Sequence, residues 1–201
     1  VTGSPAAIQL PIATLVGYLL GSVPTGVLIC RVLGTPDVRR SGSGHTGGLN
    51  VTRSAGFWAG ALTAVGDAVK GVLAVSAALW LTANPWAASA AGAAAVIGHN
   101  WSVFLQFSGG IGLSTLFGAV LRFAPLQALA ALAILLPVWL ILMGPLKVHR
   151  ARATILVMLA VGPVLWAVGM AGSGIVLGML GALAVIVKTV PDWSRQYVSG
   201  I

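Results

Sequence analysis

Two polar stretches in an otherwise apolar chain carry the residue types that can do chemistry. The first, within residues 34–56, reads Arg39-Arg40-Ser41-Gly42-Ser43-Gly44-His45, followed by Asn50 and Arg53. Hydroxyls, an amide, an imidazole and guanidinium groups beside a flexible backbone suit a phosphate or a carbonyl oxygen. An ordinary polar loop is the plainer reading, and composition leaves both open. The second stretch, Ser108-Gly109-Gly110-Ile111-Gly112-Leu113-Ser114-Thr115, is a Gly-rich turn ahead of an apolar segment. Its N–H groups could face an anion at the positive end of a helix dipole.

Other candidates have two readings each. His45 stands two residues from Ser43, so its imidazole could activate the hydroxyl, although no suitably placed acid for a triad is evident. His99 lies beside the Gly-rich turn, as a substrate contact or as hydrogen-bonded structure. Asp67 and Lys70 are three apart inside an apolar segment, on one helical face, where they can neutralise each other as a structural ion pair or contact substrate directly. Glycines at 42, 44 and 47 match GxGxxG, but no strand precedes them, so a dinucleotide site is rejected.

Scarcity of acids excludes much. Asp37, Asp67 and Asp192 are the three carboxylates and there is no Glu, which leaves paired-carboxylate hydrolysis and carboxylate-rich metal sites poorly supplied. No metal and no cofactor are expected. A lone Cys30 excludes an internal disulfide. The net charge of +8 is spread between apolar spans and forms no basic stripe with interleaved aromatics, so nucleic acid is not an expected partner.

The elements that must position these residues are membrane helices. The chain is 58% hydrophobic and 7% charged, with mean hydropathy +1.00, outside the range of a domain dissolved in water. Spans of roughly 20 apolar residues cross a hydrocarbon core, and residues 1–201 read as one all-α membrane bundle of about seven helices. They are expected near residues 8–31, 56–81, 86–106, 113–124, 126–146, 153–170 and 174–190. Residues 10–30 are read as the first span and not as a signal peptide, because no Lys or Arg precedes them. The fourth segment, about 12 residues, rises only roughly 18 Å, so its start is expected inside the membrane plane. Arg31, Arg39, Arg40, Arg53, Lys147, Arg150, Arg152, Lys188 and Arg195 share one side if the N-terminus is outside and the C-terminus cytoplasmic. Small residues at 87, 91, 92 and 95 predict close helix packing, within the chain or with a partner membrane protein.

The run Gly21-Ser22-Val23-Pro24-Thr25-Gly26, followed by Asp37-Val38-Arg39, Gly42-Ser43-Gly44, Gly47, Asn50-Val51 and Arg53, resembles the first motif of the bacterial acyl-phosphate:glycerol-3-phosphate acyltransferases, the PlsY family. Asp67 and Lys70-Gly71 are similar to its second helix, and Gly98-His99 through Thr115 to its phosphate-binding motif. The resemblance implies a multi-pass protein of the bacterial inner membrane with its site facing the cytoplasm. It implies transfer of an acyl chain from acyl phosphate to glycerol-3-phosphate, with membrane lipids as surroundings. Ser43 and Arg53 would be catalytic. Gly44, His45, Asn50, His99, Gly109, Gly110, Gly112 and Thr115 would bind substrate.

Departures from the pattern define a second expectation. Gln106, Ser108 and Ile111 stand where the family has lysines, His45 where it has asparagine, and Thr189-Val190-Pro191-Asp192 where it has His-Arg-Glu-Asn. Each lost charge-assisted contact to phosphate removes roughly 1.5–3 kcal/mol. A non-catalytic relative that binds lipid or phosphate within a membrane complex is therefore the alternative to an acyltransferase. A transporter is disfavoured, since no inverted repeat is visible.

Overall fold

The computed structural model describes residues 5–195. Ten α-helices follow one another among them: α1 Pro5–Ser22, α2 Thr25–Val32, α3 Gly48–Ala55, α4 Phe57–Thr82, α5 Pro85–Asn100, α6 Leu113–Phe123, α7 Pro125–Met143, α8 Arg150–Leu159, α9 Val161–Ala167 and α10 Gly172–Thr189. Short 3-10 turns cover Val38–Arg40, Val103–Leu105 and Val190–Asp192. The described residues form no β-strand, only one isolated antiparallel bridge between Ser102 and Ser108.

Four segments are long and apolar enough to cross a membrane: Ile8–Val32, Phe57–Thr82, Pro125–Met143 and Gly172–Asp192. A fifth is the pair α8 and α9, bent by 42°. The seven unbroken helices expected from hydropathy are thus corrected in three places. The first span breaks at Val23–Pro24, where proline supplies no N–H for the helical ladder. The sixth breaks at Ala160 between α8 and α9. The third ends at Asn100 and not near residue 106, because the chain turns back on itself through the Ser102–Ser108 bridge.

α5 has 16 residues and rises about 24 Å, less than a hydrocarbon core. Enclosure by the bundle compensates for its length. Its Ala/Gly sequence lets neighbours approach backbone to backbone: Gly17 and Gly21 of α1 lie directly on Ala91 and Ala95, leaving no room for a Cβ. Gly71 of α4 meets Thr115 of α6 in the same way, and Gly118 of α6 meets Ala68 of α4. By contrast, α7 presents Leu126, Leu129 and Leu140 outward, as a lipid-facing helix does. This close-packed centre fixes the interior of α4, the end of α5 and the start of α6, and those parts hold the polar site.

Candidate functional site

The first polar loop is built around Asn50. Its Nδ2 donates to the carbonyls of Val38, Ser41 and His45 at 3.0, 3.0 and 2.9 Å, while its Oδ1 accepts from the N–H of Ser43 at 3.1 Å. Asn50, expected as a substrate contact, holds the loop through its amide and also lines the polar cavity described below. Gly42 and Gly44 adopt φ of +52° and +73°, a left-handed backbone that favours glycine, and this turns the loop around the amide. Asp37 caps the preceding 3-10 turn and pairs with Arg39 at 2.6 Å. The Arg39 guanidinium holds the Asp37 carboxyl below the usual carboxylate range. Arg39 also donates to Ser108 at 3.4 Å, joining this loop to the Gly-rich turn.

Ser43 is buried, and its Oγ accepts from the N–H of His45 at 3.4 Å. The His45 ring turns elsewhere. Nε2 lies 2.6 Å from Asp192 Oδ2, and Nδ1 lies 3.4 Å from the Gly109 carbonyl. Both ring nitrogens are thus engaged away from Ser43, and neither is placed to serve its hydroxyl as a base. The acid absent from the sequence reading of a triad does exist, but it clamps the ring. Asp192 also pairs with Arg195 at 3.3 Å. Through His45, residues 109 and 192 are drawn to the first loop.

The glycines of the turn have separate duties. A Cβ on Gly110 would fall on the His99 ring and one on Gly109 on the His99 carbonyl, so both are required by close approach to the end of α5. Gly112, at φ +92°, caps α6 without a side-chain hydrogen bond. Thr115 is fully buried against α4. Asp67 pairs with Lys70 at 2.9 Å and approaches His99 Nδ1 at 3.5 Å, and Lys70 donates to the Val23 carbonyl at 2.9 Å. These buried charges face the bundle interior and stitch α4 to the break after α1.

A polar cavity of about 100 Å³ brings together Ser43, His45, Asn50, His99 and Gly112 from the expected set, with Asp67 in its wall. Gly44, Gly109, Gly110, Thr115 and Arg53 are not in its lining. Arg53 is exposed in the last turn of α3, one turn beyond Leu49 of the lining. The structure adds Ser114, Arg150 and Thr154, none of them expected from sequence as a catalytic or substrate-binding residue. Among the described residues, no three His, Cys, Asp or Glu side chains gather as a metal site requires.

An apolar cavity of about 300 Å³ adjoins the polar one. It lies between α6, α7, α8 and α9, with Leu116, Val120, Ala131, Val157 and Leu165 in its walls. Leu49, Leu113, Trp139 and Thr154 line both cavities. Trp139 Nε1 donates to Thr154 Oγ1 at 3.0 Å, which fixes the boundary between them. Such a pair of chambers fits a molecule with a small polar head and a long apolar tail.

Comparisons with known proteins agree with that chemistry. The family model described as glycerol-3-phosphate acyltransferase matches residues 11–197. A glycerol-3-phosphate acyltransferase of Rubrobacter xylanophilus is 50% identical over 120 residues, 60% of this chain and 60% of that protein's own length. One from Halorhodospira halophila is 37% identical over 155 residues, 77% of each chain. Among solved structures, PlsY (YgiH), an integral membrane glycerol 3-phosphate acyltransferase, superposes in its glycerol 3-phosphate form with a TM-score of 0.78 and 28% identity, covering 92% of this chain and 90% of that one. Its lysophosphatidic acid form superposes with a TM-score of 0.75. With nearly its whole length matched by the family model and its helices arranged as in PlsY, this integral membrane chain belongs to the glycerol-3-phosphate acyltransferase family.

Proposed function

We propose that this protein transfers an acyl group from acyl phosphate to glycerol-3-phosphate, forming lysophosphatidate at the cytoplasmic face of a bacterial cell membrane. The observation that carries the reading is the junction of the two cavities: an acyl tail fits the apolar one, and its reactive head then stands where Ser43, His45 and Ser114 line the polar one. The glycerol-3-phosphate 1-hydroxyl oxygen attacks the acyl carbonyl carbon. A new ester C–O bond forms, the C–O bond to phosphate breaks, and inorganic phosphate leaves with the hydroxyl proton.

Ser43 is positioned to hydrogen-bond a reacting oxygen, because its Oγ accepts from His45 N–H and keeps its own hydrogen to donate. Arg53, exposed one turn beyond Leu49 of the lining, attracts the doubly charged acceptor by its charge. Membership of the family supports placing the loop of residues 34–56 on the cytoplasmic side, with seven crossings in which α5 and α6 are the short ones. Clustering of Arg39 and Arg40 in the first loop, Arg53 in the last turn of α3, and Arg150 and Arg152 at the start of α8 agrees with the positive-inside rule. The outward face of α7 meets lipid or a partner membrane protein.

The test is direct. Purified protein in liposomes receives radiolabelled glycerol-3-phosphate and palmitoyl phosphate, and label is expected in organic-extractable lysophosphatidate. If no label moves while the Rubrobacter relative turns over beside it, the catalytic reading fails and a lipid-binding subunit takes its place.

A further inference from the structure

We infer that Leu165, seated on Gly178, forms the floor of the apolar cavity and sets the longest acyl chain the protein accepts. The inference deepens the acyltransferase reading and takes from it only that the tail lies in this cavity. The wall descends from the polar junction along three routes at once: from Trp139 to Ala128 on α7, from Leu113 to Val120 on α6, and from Thr154 to Leu165 along α8 and α9. At about 1.5 Å per residue, the α7 wall is about 16 Å deep. An extended chain advances roughly 1.3 Å per carbon, so about twelve carbons fit below the junction. Volume agrees, since a dry cavity of about 150 Å³ holds a benzene ring and this one has about 300 Å³. With its first few carbons crossing the junction, a palmitoyl chain reaches Leu165.

What stops the descent is protein and not lipid. Leu165 is buried, and its Cδ1 rests where a Cβ on Gly178 would stand, so the glycine lets the side chain lean on α10. Val161, one turn nearer the junction, brings its Cγ1 within 3.3 Å of the same point. α10 runs back toward the polar cavity and arrives where Asp192 meets His45, so Gly174 lies one turn farther from that cavity than Gly178. The space at that depth is filled. Met170 Sδ lies 2.6 Å from where a Cβ on Gly174 would stand, and Phe123 Cδ1 lies 3.7 Å from it. Met170 is itself buried, and its N–H donates to the Leu165 carbonyl at 2.9 Å, which ties the floor to the layer beneath.

Methylenes that reach the floor are buried, whereas further ones must bend the chain or move a leucine already packed against α10. A step in preference is the consequence. Leu132 and Leu136 on the α7 wall are partly exposed, so lipid touches that flank, and a tail that left by it would meet no floor. Chain-length dependence therefore separates a tail held against Leu165 from one that slips sideways between helices.

The full chain in detergent is given equimolar dodecyl, hexadecyl and octadecyl phosphate, analogues of the donor that cannot transfer their chains. Retained ligands are compared by native mass spectrometry, with the melting temperature recorded for each variant. The parent is expected to retain hexadecyl over octadecyl phosphate by about fivefold or more, because the last methylenes of the longer chain find no burial. Leu165→Ala deepens the cavity and should bring that ratio near one. Gly178→Ala acts with opposite sign, since its methyl drives Leu165 into the cavity, and should shift retention toward dodecyl phosphate; in the double variant that shift disappears. Should either fail to fold, Ala128→Leu decides, because it raises the floor from α7 and should also favour the dodecyl chain. Equal retention of hexadecyl and octadecyl chains by the parent, unchanged ratios in the folded variants, or no retention of any alkyl phosphate overturns the inference. In the transfer assay with the matching acyl phosphates, turnover without a length preference sinks the floor and leaves the acyltransferase reading. Length-dependent retention without turnover sinks the acyltransferase reading and leaves the floor.

Discussion

The two cavities are neighbours with opposite construction. The polar one is small and its walls come from the first loop, the end of α5, the start of α6 and the start of α8. The apolar one is about three times larger and is bounded by the sides of helices, with Leu, Val, Ala and Phe facing inward. Orientation in the first depends on single hydrogen bonds, whereas the second offers only area and shape. Chemistry should therefore be brittle to substitution in one chamber, and selectivity should be graded in the other. A membrane enzyme joining a water-soluble acceptor to a lipid-soluble donor needs both at one junction.

The comparison breaks most sharply at Ser43. Ser43→Ala deletes a hydroxyl in the lining of the polar chamber, the one proposed to meet the reacting groups, while leaving its N–H to Asn50, so the loop keeps its shape. Loss of a donor of this kind costs about 10²–10³ in kcat, with little change in melting temperature. Single-turnover transfer of labelled acyl groups measures it. A variant within threefold of the parent would show that the polar chamber is not where reaction occurs.

The apolar chamber is tested next at Ala131, a buried residue of α7 in its wall. Ala131→Leu adds three carbons where the tail would lie, and each methylene excluded from burial is worth about 0.8 kcal/mol. Displacing two methylenes would lower kcat/KM for palmitoyl phosphate about tenfold or more, while lauroyl phosphate is expected to stay near the parental value. Equal losses for both donors would separate this chamber from tail binding.

These two chambers were unequally legible in the sequence. Ser43, His45 and Asn50 lie within one short loop, where glycines at positive φ and an amide with four bonds act over a few residues. The α3 helix beside them was missed because Gly48, Asn50 and Thr52 are poor helix formers. Packing of Gly48 and Thr52 against Gly60 of α4 holds them, which is a tertiary effect. Arg150 was indistinguishable from its basic neighbours, since a charge that fixes topology and one that lines a site look alike in composition. Asp192 offered a faint signal as one of three carboxylates, but its partner His45 is 147 positions away. Hydropathy found the apolar segments and could not foresee the breaks at Pro24 and Ala160, nor the 300 Å³ left between helices.

A smaller effect sharpens the role of that distant pair. Asp192→Asn keeps the shape of the side chain but removes the charge that clamps His45 Nε2. A charge-assisted bond weakened to a neutral one loses about 1 kcal/mol, so kcat/KM is expected to fall about fivefold to tenfold. A lower melting temperature with kcat/KM unchanged in the folded variant would mean that the bridge is merely structural.

The smallest predicted effect lies on the boundary itself. Trp139 belongs to both linings, and its Nε1 bond to Thr154 sets how far the ring closes the passage between head and tail. Trp139→Phe retains an aromatic wall but removes that bond, which in a partly buried neutral pair is worth about 1 kcal/mol. Thr154 is itself buried, yet its hydroxyl can turn to a backbone carbonyl of the preceding helical turn, so little of the loss reaches stability. Activity with palmitoyl phosphate is expected to drop by no more than about fivefold. The more telling readout is hydrolysis: a looser boundary would let water reach the donor head, and phosphate release without acyl transfer should rise relative to the parent. Unchanged transfer and unchanged hydrolysis would show that the two chambers are separated by the helices alone.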